Sequence, residues 1–339
     1  MDSVALPPSG VPTVRGEVPS GELGPTLAHE HLFVLSQEFQ HNYPFLWDRE
    51  RGVAEAAAQL ERAYDAGLRT VVDMTVIGQG RDIELVRAVA DRTRMNIVVA
   101  TGVYTIDGIP PFARFRGPGC LVEAPDPLID LLTADITDGI AGSGIRAGVV
   151  KFACERTPPD DSARRMASAV AEVHRRTGVA VVVHCDPFEG NGLELVALLT
   201  GEGVASDRVV VAHAGDSGDL DTLRALADTG CLLGFDRYGM TALAPDDQRN
   251  RMLAALVRAG HGHQILVSQD HASHIDYLTT EQRRELFPDW SYTHLVERVF
   301  PQLLREPGVD ESTLTMLLED NPRRLLTAGR VPAPLEVGA

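Results

Sequence analysis

Eight short apolar runs, separated by stretches of helical spacing, constrain this chain more than any single motif. They occupy residues 25–28, 70–75, 96–101, 147–152, 179–184, 208–213, 231–235 and 264–269. Between them, apolar residues recur every three or four positions in Val53 to Ala66, around Asp82 to Thr93 and near Leu128 to Ala141, which is the period of an amphipathic helix. Strands alternating with helices build a parallel sheet, and eight such units close into a barrel. The expected fold is an α/β (β/α)8 TIM barrel, with a doubly wound open sheet as the alternative. The 339 residues suit one barrel domain, because that fold uses roughly 200 to over 400 residues as a single unit. We place the barrel at residues 13–330, opened by a hairpin near Thr13–Val18 and closed by helices near Tyr292–Leu304 and Glu311–Leu318. A flexible, Pro/Gly/Ser-rich segment at 1–12 precedes it and a tail at 331–339 follows. No internal repeat or low-complexity tract interrupts this plan.

Composition narrows the partners. The 31 Lys+Arg against 48 Asp+Glu leave a formal charge of −17, which repels phosphate backbones and anionic lipid. Neither nucleic acid nor membrane is an expected partner. The start, Met1-Asp2-Ser3, is not a basic region followed by an apolar run, and no stretch of about 18 apolar residues occurs. A cytoplasmic location is expected. Cys120, Cys154, Cys185 and Cys231 lack CxxC spacing, so buried reduced thiols are expected rather than a disulfide framework or zinc knuckle.

Six metal-competent side chains fall at the C-terminal ends of the expected strands: His29, His31, Lys151, His184, His213 and Asp270. In a barrel these ends meet at one face, where catalytic groups collect. His29 and His31 sit two apart in an extended segment, so their imidazoles share a face. Singly, each has a plainer explanation: a hydrogen-bonded core histidine, an N-cap for Asp270, an ion pair with Glu155 for Lys151. Six on one face point to a metal centre. Lys151 in an apolar strand is costly as an ammonium, and desolvation lowers its pKa. A neutral amine can take up carbon dioxide, and the resulting carbamate can bridge two cations about 3.5 to 4 Å apart.

The residues that accompany this constellation are Gly24-Pro25-Thr26-Leu27-Ala28-His29-Glu30-His31, Asn42-Tyr43-Pro44, Val76-Ile77-Gly78, Thr101-Gly102-Val103-Tyr104, His213-Ala214-Gly215-Asp216 and Phe235-Asp236-Arg237-Tyr238-Gly239. Together, from Val14-Arg15-Gly16 to Asp320-Asn321-Pro322-Arg323-Arg324, the chain resembles the phosphotriesterase family of the amidohydrolase superfamily, and most closely its phosphotriesterase-like lactonases. The resemblance implies two divalent metal ions. His29, His31 and Asp270 would hold the more buried one and His184 and His213 the more exposed one, with carboxylated Lys151 and a hydroxide between them. It also implies that Tyr104 reaches toward the hydroxide and the lactone, that Arg237 shapes the entrance, and that the chain is a homodimer. Asp270 would accept the hydroxide proton and pass it to the leaving alkoxide. Imidazole and carboxylate suit Zn2+ first, with Co2+, Mn2+ or Fe2+ as alternatives.

Two departures from the family pattern, Cys185-Asp186-Pro187-Phe188-Glu189-Gly190 after His184 and Gln269 before Asp270, change the surroundings of the ligands without removing one. Candidate substrate-lining residues are Tyr238, Met240, His271, Ile275, Tyr277 and Leu278. The long excursion Thr105 to Pro127, with Pro110, Pro111 and Phe112, is a further candidate substrate wall or dimer surface. The expected activity is opening of acyl-homoserine lactones or related γ/δ-lactones, with promiscuous organophosphate hydrolysis. The alternatives are a dedicated phosphotriesterase (aryldialkylphosphatase), another carboxylic ester or amide hydrolase, or a metal-binding or sensing protein on a scaffold without catalysis.

Overall fold

The computed structural model describes residues 10–327. The expected tail at 331–339, and residues 1–9 of the expected N-terminal segment, lie outside them. Nine parallel strands form one continuous sheet: β1 Thr26–Val34, β2 Thr70–Asp73, β3 Asn96–Val103, β4 Val149–Ala153, β5 Val181–His184, β6 Val209–Ala212, β7 Leu232–Phe235, β8 Ile265–Val267 and β9 Ala272–Ile275. Each pairs with its sequence neighbour from β1 to β8, and β9 pairs with β1. The expected eight units are all present. The ninth strand is the eighth resumed after a kink, which closes the ring against β1: His29 N donates to Ser268 Oγ (3.0 Å), Asp270 N to His29 O (3.1 Å) and His31 N to His271 O (2.8 Å). This is a (β/α)8 barrel, not an open sheet.

Alternation along the strands separates two apolar clusters. Val72, Val98, Ala100, Val149, Val182, Val210, Leu232 and Leu266 pack inside the barrel. Val71, Ile97, Val99, Val150, Val181, Val183, Val211 and Leu233 pack outward with helix residues such as Leu60, Val86 and Met166. Burial on both faces is why the strands read as unbroken Val/Ile/Leu runs. Leu325 and Leu326 join the inner cluster, so the chain's last described helix, Asn321–Thr327, seals the end of the barrel remote from the candidate site.

The helices start on aspartates. Asp48, Asp82, Asp126, Asp160 and Asp219 each accept a first-turn backbone N–H of the helices Arg49–Asp65, Ile83–Ala90, Pro127–Thr137, Asp161–Thr177 and Leu220–Asp228, each cap being worth about 1 kcal/mol. The hairpin pairs Val11–Thr13 with Gly16–Val18, beginning two residues earlier than expected because Val11 is buried in the inner cluster. The four cysteines are free thiols, three of them buried. No helix among the described residues is long and apolar enough to cross a membrane.

Candidate metal centre

The six predicted ligands come together at the C-terminal end of the barrel interior, and the strands explain how. A register shift between Leu27 and Glu30 interrupts the pairing of β1 with β2, and beyond it His29 and His31 both face the barrel interior. Lys151 is the middle residue of β4 rather than its end, stacked above Val149 on the inner face. Its neighbour across the sheet is Gly102, where a Cβ would lie 1.7 Å from Lys151 O, so only glycine lets β3 and β4 approach here. His213 and Asp270 follow the last residues of their strands in left-handed backbone conformations, φ +65° and +53°, which L-residues rarely adopt and which concentrate at functional sites.

The candidate ligands approach one another closely. Asp270 Oδ1 lies 3.5 Å from His29 Nε2 and 3.2 Å from His31 Nε2. His184 Nδ1 lies 2.9 Å from His213 Nε2, and Lys151 Nζ is 3.2 Å from His29 Nε2. Lys151 therefore meets the histidines and not Glu155, which instead bonds His184 Nε2 at 2.8 Å.

The outer ring nitrogens are tied back. Asp236 receives His213 Nδ1 at 2.8 Å on Oδ1 and His29 Nδ1 at 3.1 Å on Oδ2. His31 Nδ1 meets Thr75 Oγ1 at 2.8 Å, and Thr75 in turn donates to Asp73 Oδ1 at 2.6 Å. Fixing Nδ1 in this way turns Nε2 inward as a lone-pair donor, the arrangement by which carboxylates orient metal-ligating histidines.

The protonation states agree with a ligand set. Burial, reinforced by the Lys151 charge, pushes His31 down to about 4. Burial takes His184 to about 4 against its bond to Glu155, and burial with help from Arg237 pushes His213 well below its usual value. Burial favours the neutral form of Asp270, but His29, His31 and His213 outweigh it and hold the carboxyl well below its usual range. The imidazoles of His31, His184 and His213 are thus neutral and the Asp270 carboxylate charged at pH 7, as metal binding requires. Burial lowers Lys151 to about 8 against the pull of Asp270 and Asp236, leaving roughly a tenth of it as free amine at pH 7. His29, His213 and Asp270 alone offer three ligand atoms within 4.8 Å of one another. Four imidazoles, a carboxylate and an amine able to become a carbamate fit divalent cations with mixed nitrogen and oxygen preference.

A cavity of about 110 Å³ opens over this cluster, and Tyr104, Arg237, Met240, Ile275, Tyr277, Trp290 and Gln79 are among the residues of its wall. The Tyr104 ring stands edge-on to His184 at 5.6 Å, and burial together with Asp270 raises its phenol, which therefore stays protonated. Arg237 is drawn inward, with Nε 3.2 Å from Asp270 Oδ2 and a second nitrogen 3.5 Å from Asp216.

Three expected lining residues are corrected. Tyr238 follows the inward Arg237 and so turns outward, buried with its hydroxyl donating to Asn250. His271 follows Asp270 in the same way and packs between Trp290 and Tyr292 while bonding Gln59. Leu278 lines an adjoining groove of about 790 Å³ with Phe39, Leu46 and Arg283, which shares Ile275 with the cavity over the cluster but none of the candidate ligands. The Thr105–Pro127 excursion contributes no wall to the cavity. Arg165 pins it through Asp126 and the carbonyls of Ala113 and Arg116, leaving Phe112, Phe115, Leu121 and Val122 exposed.

Sequence reasoning missed Asp236, Thr75, Glu155, Gln79 and Glu30. Period-two alternation on β7 would have flagged Asp236, since Leu232, Gly234 and Asp236 share one face. Glu30 is buried and accepts Ser268 Oγ and the backbone N–H groups of Gln269 and His271 at 2.7–2.8 Å. It holds the kink that sets Asp270, and burial raises its carboxyl well above the ordinary value. Its role depends on a partner 238 residues away, which local pattern does not reveal.

A model of the phosphotriesterase family matches residues 9–326. The chain is 38% identical over 314 residues to a phosphotriesterase homology protein of Mycobacterium tuberculosis, covering 92% of this chain and 96% of that one. It is 32% identical to an aryldialkylphosphatase of Saccharolobus solfataricus, over 92% and 98% of the two chains. The solved structure of the phosphotriesterase from Mycobacterium tuberculosis superposes with a TM-score of 0.91 at 37% identity, over 94% of this chain and 98% of that one. With its six ligand-type residues assembled in one barrel mouth, the chain belongs to the phosphotriesterase family of hydrolases.

Proposed function

We propose that this chain is a binuclear metal-dependent lactonase that opens acyl-homoserine lactones or related γ/δ-lactones and hydrolyses organophosphate triesters as a weaker side reaction. The observation that carries the reading is the compact cavity of about 110 Å³, where the Tyr104 phenol and the Arg237 guanidinium face the ligand cluster. A phenol and a guanidinium over the cluster offer hydrogen-bond donors to the ring and carbonyl oxygens of a lactone.

His29, His31 and Asp270 would hold one divalent cation, His184 and His213 the other, and carboxylated Lys151 would span the two, with Zn2+ preferred and Co2+, Mn2+ or Fe2+ as substitutes. Such a pair supplies a nucleophilic hydroxide at neutral pH and polarises the carbonyl. Asp270, ionised on the cavity wall, takes the proton of the attacking hydroxide as its oxygen bonds to the carbonyl carbon and the acyl C–O bond of the ring breaks, then delivers that proton to the leaving alkoxide. Tyr104 keeps its proton and donates a hydrogen bond to the substrate oxygens. Arg237 shapes the entrance while holding Asp270 in place. The exposed Phe112, Phe115, Leu121 and Val122 are a surface for a homodimer, and the acidic chain is assigned to the cytoplasm.

The test is a panel of homoserine and aliphatic lactones beside paraoxon, assayed on protein loaded with each metal and checked by elemental analysis. The expected result is a higher kcat/KM on lactones. A preference for the phosphotriester would instead establish the second reading, a dedicated phosphotriesterase, which the name of the Saccharolobus solfataricus relative favours. Loss of activity on chelation and its return with metal are expected in either case.

A further inference from the structure

Gln79 is the only side chain borne by the Gly78-Gln79-Gly80 turn, and the turn is locked. Gly78 and Gly80 have φ of +93° and +82°. A Cβ at Gly78 would lie 3.1 Å from Tyr104 O, and one at Gly80 2.2 Å from Leu35 O. Gln79 N donates to Val76 O and Leu35 N to Gln79 O, both at 3.0 Å, while Ile77 N donates to Gly102 O and Tyr104 N to Ile77 O. The turn is thus clamped between the ends of β1 and β3, and its one side chain has little freedom to move elsewhere.

That side chain lines the cavity shared by Tyr104, Lys151 and Asp270. It is 6% exposed. Its Oε1 is buried with no hydrogen-bond partner, and its carboxamide engages no protein group among the described residues. Buried polar groups are nearly always paired, and an exception calls for an explanation. Packing does not supply one, since an apolar side chain of the same length would fill the place without the desolvation cost. A carboxamide offers one acceptor and two N–H donors, so it complements a group that also both donates and accepts.

We infer that Gln79 is a specificity residue whose carboxamide pairs with a hydrogen-bonding substituent, a secondary amide or a hydroxyl, carried by the substrate beside its reacting carbonyl. The inference rests on the lactonase reading above. A site built to hydrogen-bond a substrate group rejects the analogue lacking it, because the protein's own polar group is then left unpaired. Gln79 touches no reacting atom; it selects which lactone is held there.

The experiment compares the metal-loaded protein with Gln79→Met on three γ-lactones of one ring size, bearing no substituent, an α-hydroxyl or an α-acylamino group. The expected result is that the kcat/KM ratio of a polar-substituted lactone to the unsubstituted one falls roughly tenfold in the variant, mainly through KM, with Tm unchanged or raised. A fall confined to the acylamino lactone assigns the amide, and one confined to the hydroxy lactone assigns the hydroxyl. A uniform fall on all three with a lower Tm, or no change on any, overturns the inference while leaving the lactonase reading intact. A wild-type protein inert to all three lactones but active on paraoxon overturns the lactonase reading, and this inference with it.

Discussion

The two ends of the barrel interior are built on the same strands and differ in almost every physical respect. At the remote end the inner cluster is Val, Ala and Leu, sealed by Leu325 and Leu326, and any aliphatic residue of similar volume satisfies such packing. At the other end, one or two steps of alternation further, the inner positions carry Lys151, His184, Asp236 and Asp270. There each group depends on particular partners: Asp236 on two histidines, Asp270 on three histidines and Arg237, Glu30 on three donors. Two of the three positive-φ non-glycine residues among those described, His213 and Asp270, are also at this end. The lesson is a division of labour along each strand: the lower turn of the barrel secures the fold, and the upper turn spends part of that stability on strained, desolvated, ionisable groups.

The largest expected effect lies at the upper end. Asp270→Asn keeps the shape but removes the negative charge that three histidines stabilise and the base proposed to move the proton. Turnover should fall by roughly 10² to 10⁴, the range of general acid–base catalysis, with part of the metal retained by elemental analysis. Turnover within a few-fold of wild type would remove Asp270 from proton transfer and weaken the contrast between the two ends. A smaller effect is expected at Asp236. Asp236→Asn places an N–H2 group against an imidazole N–H on His29 or His213, so the rings lose their fixed tautomer. Affinity for divalent metal should drop roughly 10- to 100-fold, read by competition with a chromogenic chelator. An unchanged affinity would mean that the barrel walls alone orient the histidines.

The same division explains what the sequence disclosed. Strand count, helix positions and the clustering of six ligand-type residues were legible because all three depend on local period: apolar runs bounded by turns, and polar residues interrupting those runs toward their C-terminal ends. The ordinary alternation also carried Asp236, since Leu232, Gly234 and Asp236 share a face. The kink at Ser268–His271, and the Glu30 that holds it, were not legible, because they depend on contacts between the first and last strands. Tyr238, His271 and Leu278 were assigned to the cavity from their aromatic or apolar character, whereas their direction is set by the inward neighbours Arg237 and Asp270 and by the course of the loop. Chemistry of residue type located the candidate metal centre; the direction of each side chain around it required the closed ring.

The smallest effect on catalysis is expected four residues before Asp270 on the same stretch of chain. Leu266 is 2% exposed and belongs to the inner cluster with Val210 and Leu232, so Leu266→Ala removes buried methyl groups and leaves a cavity where the barrel cannot easily collapse. The cost should be about 2 to 5 kcal/mol of stability, seen as a Tm lowered by several degrees, because β8 has strands on both sides and little room to shift. If the lower turn acts only as support, kcat at a temperature well below the new Tm should stay within about two-fold of wild type, and metal content should not change. A matching loss in kcat would show that the strain at Asp270 is transmitted down β8 into the apolar layer. The kink at Ser268, held by Glu30 and by His29 N, argues against that transmission, since it anchors Asp270 to β1 and not to the strand below it.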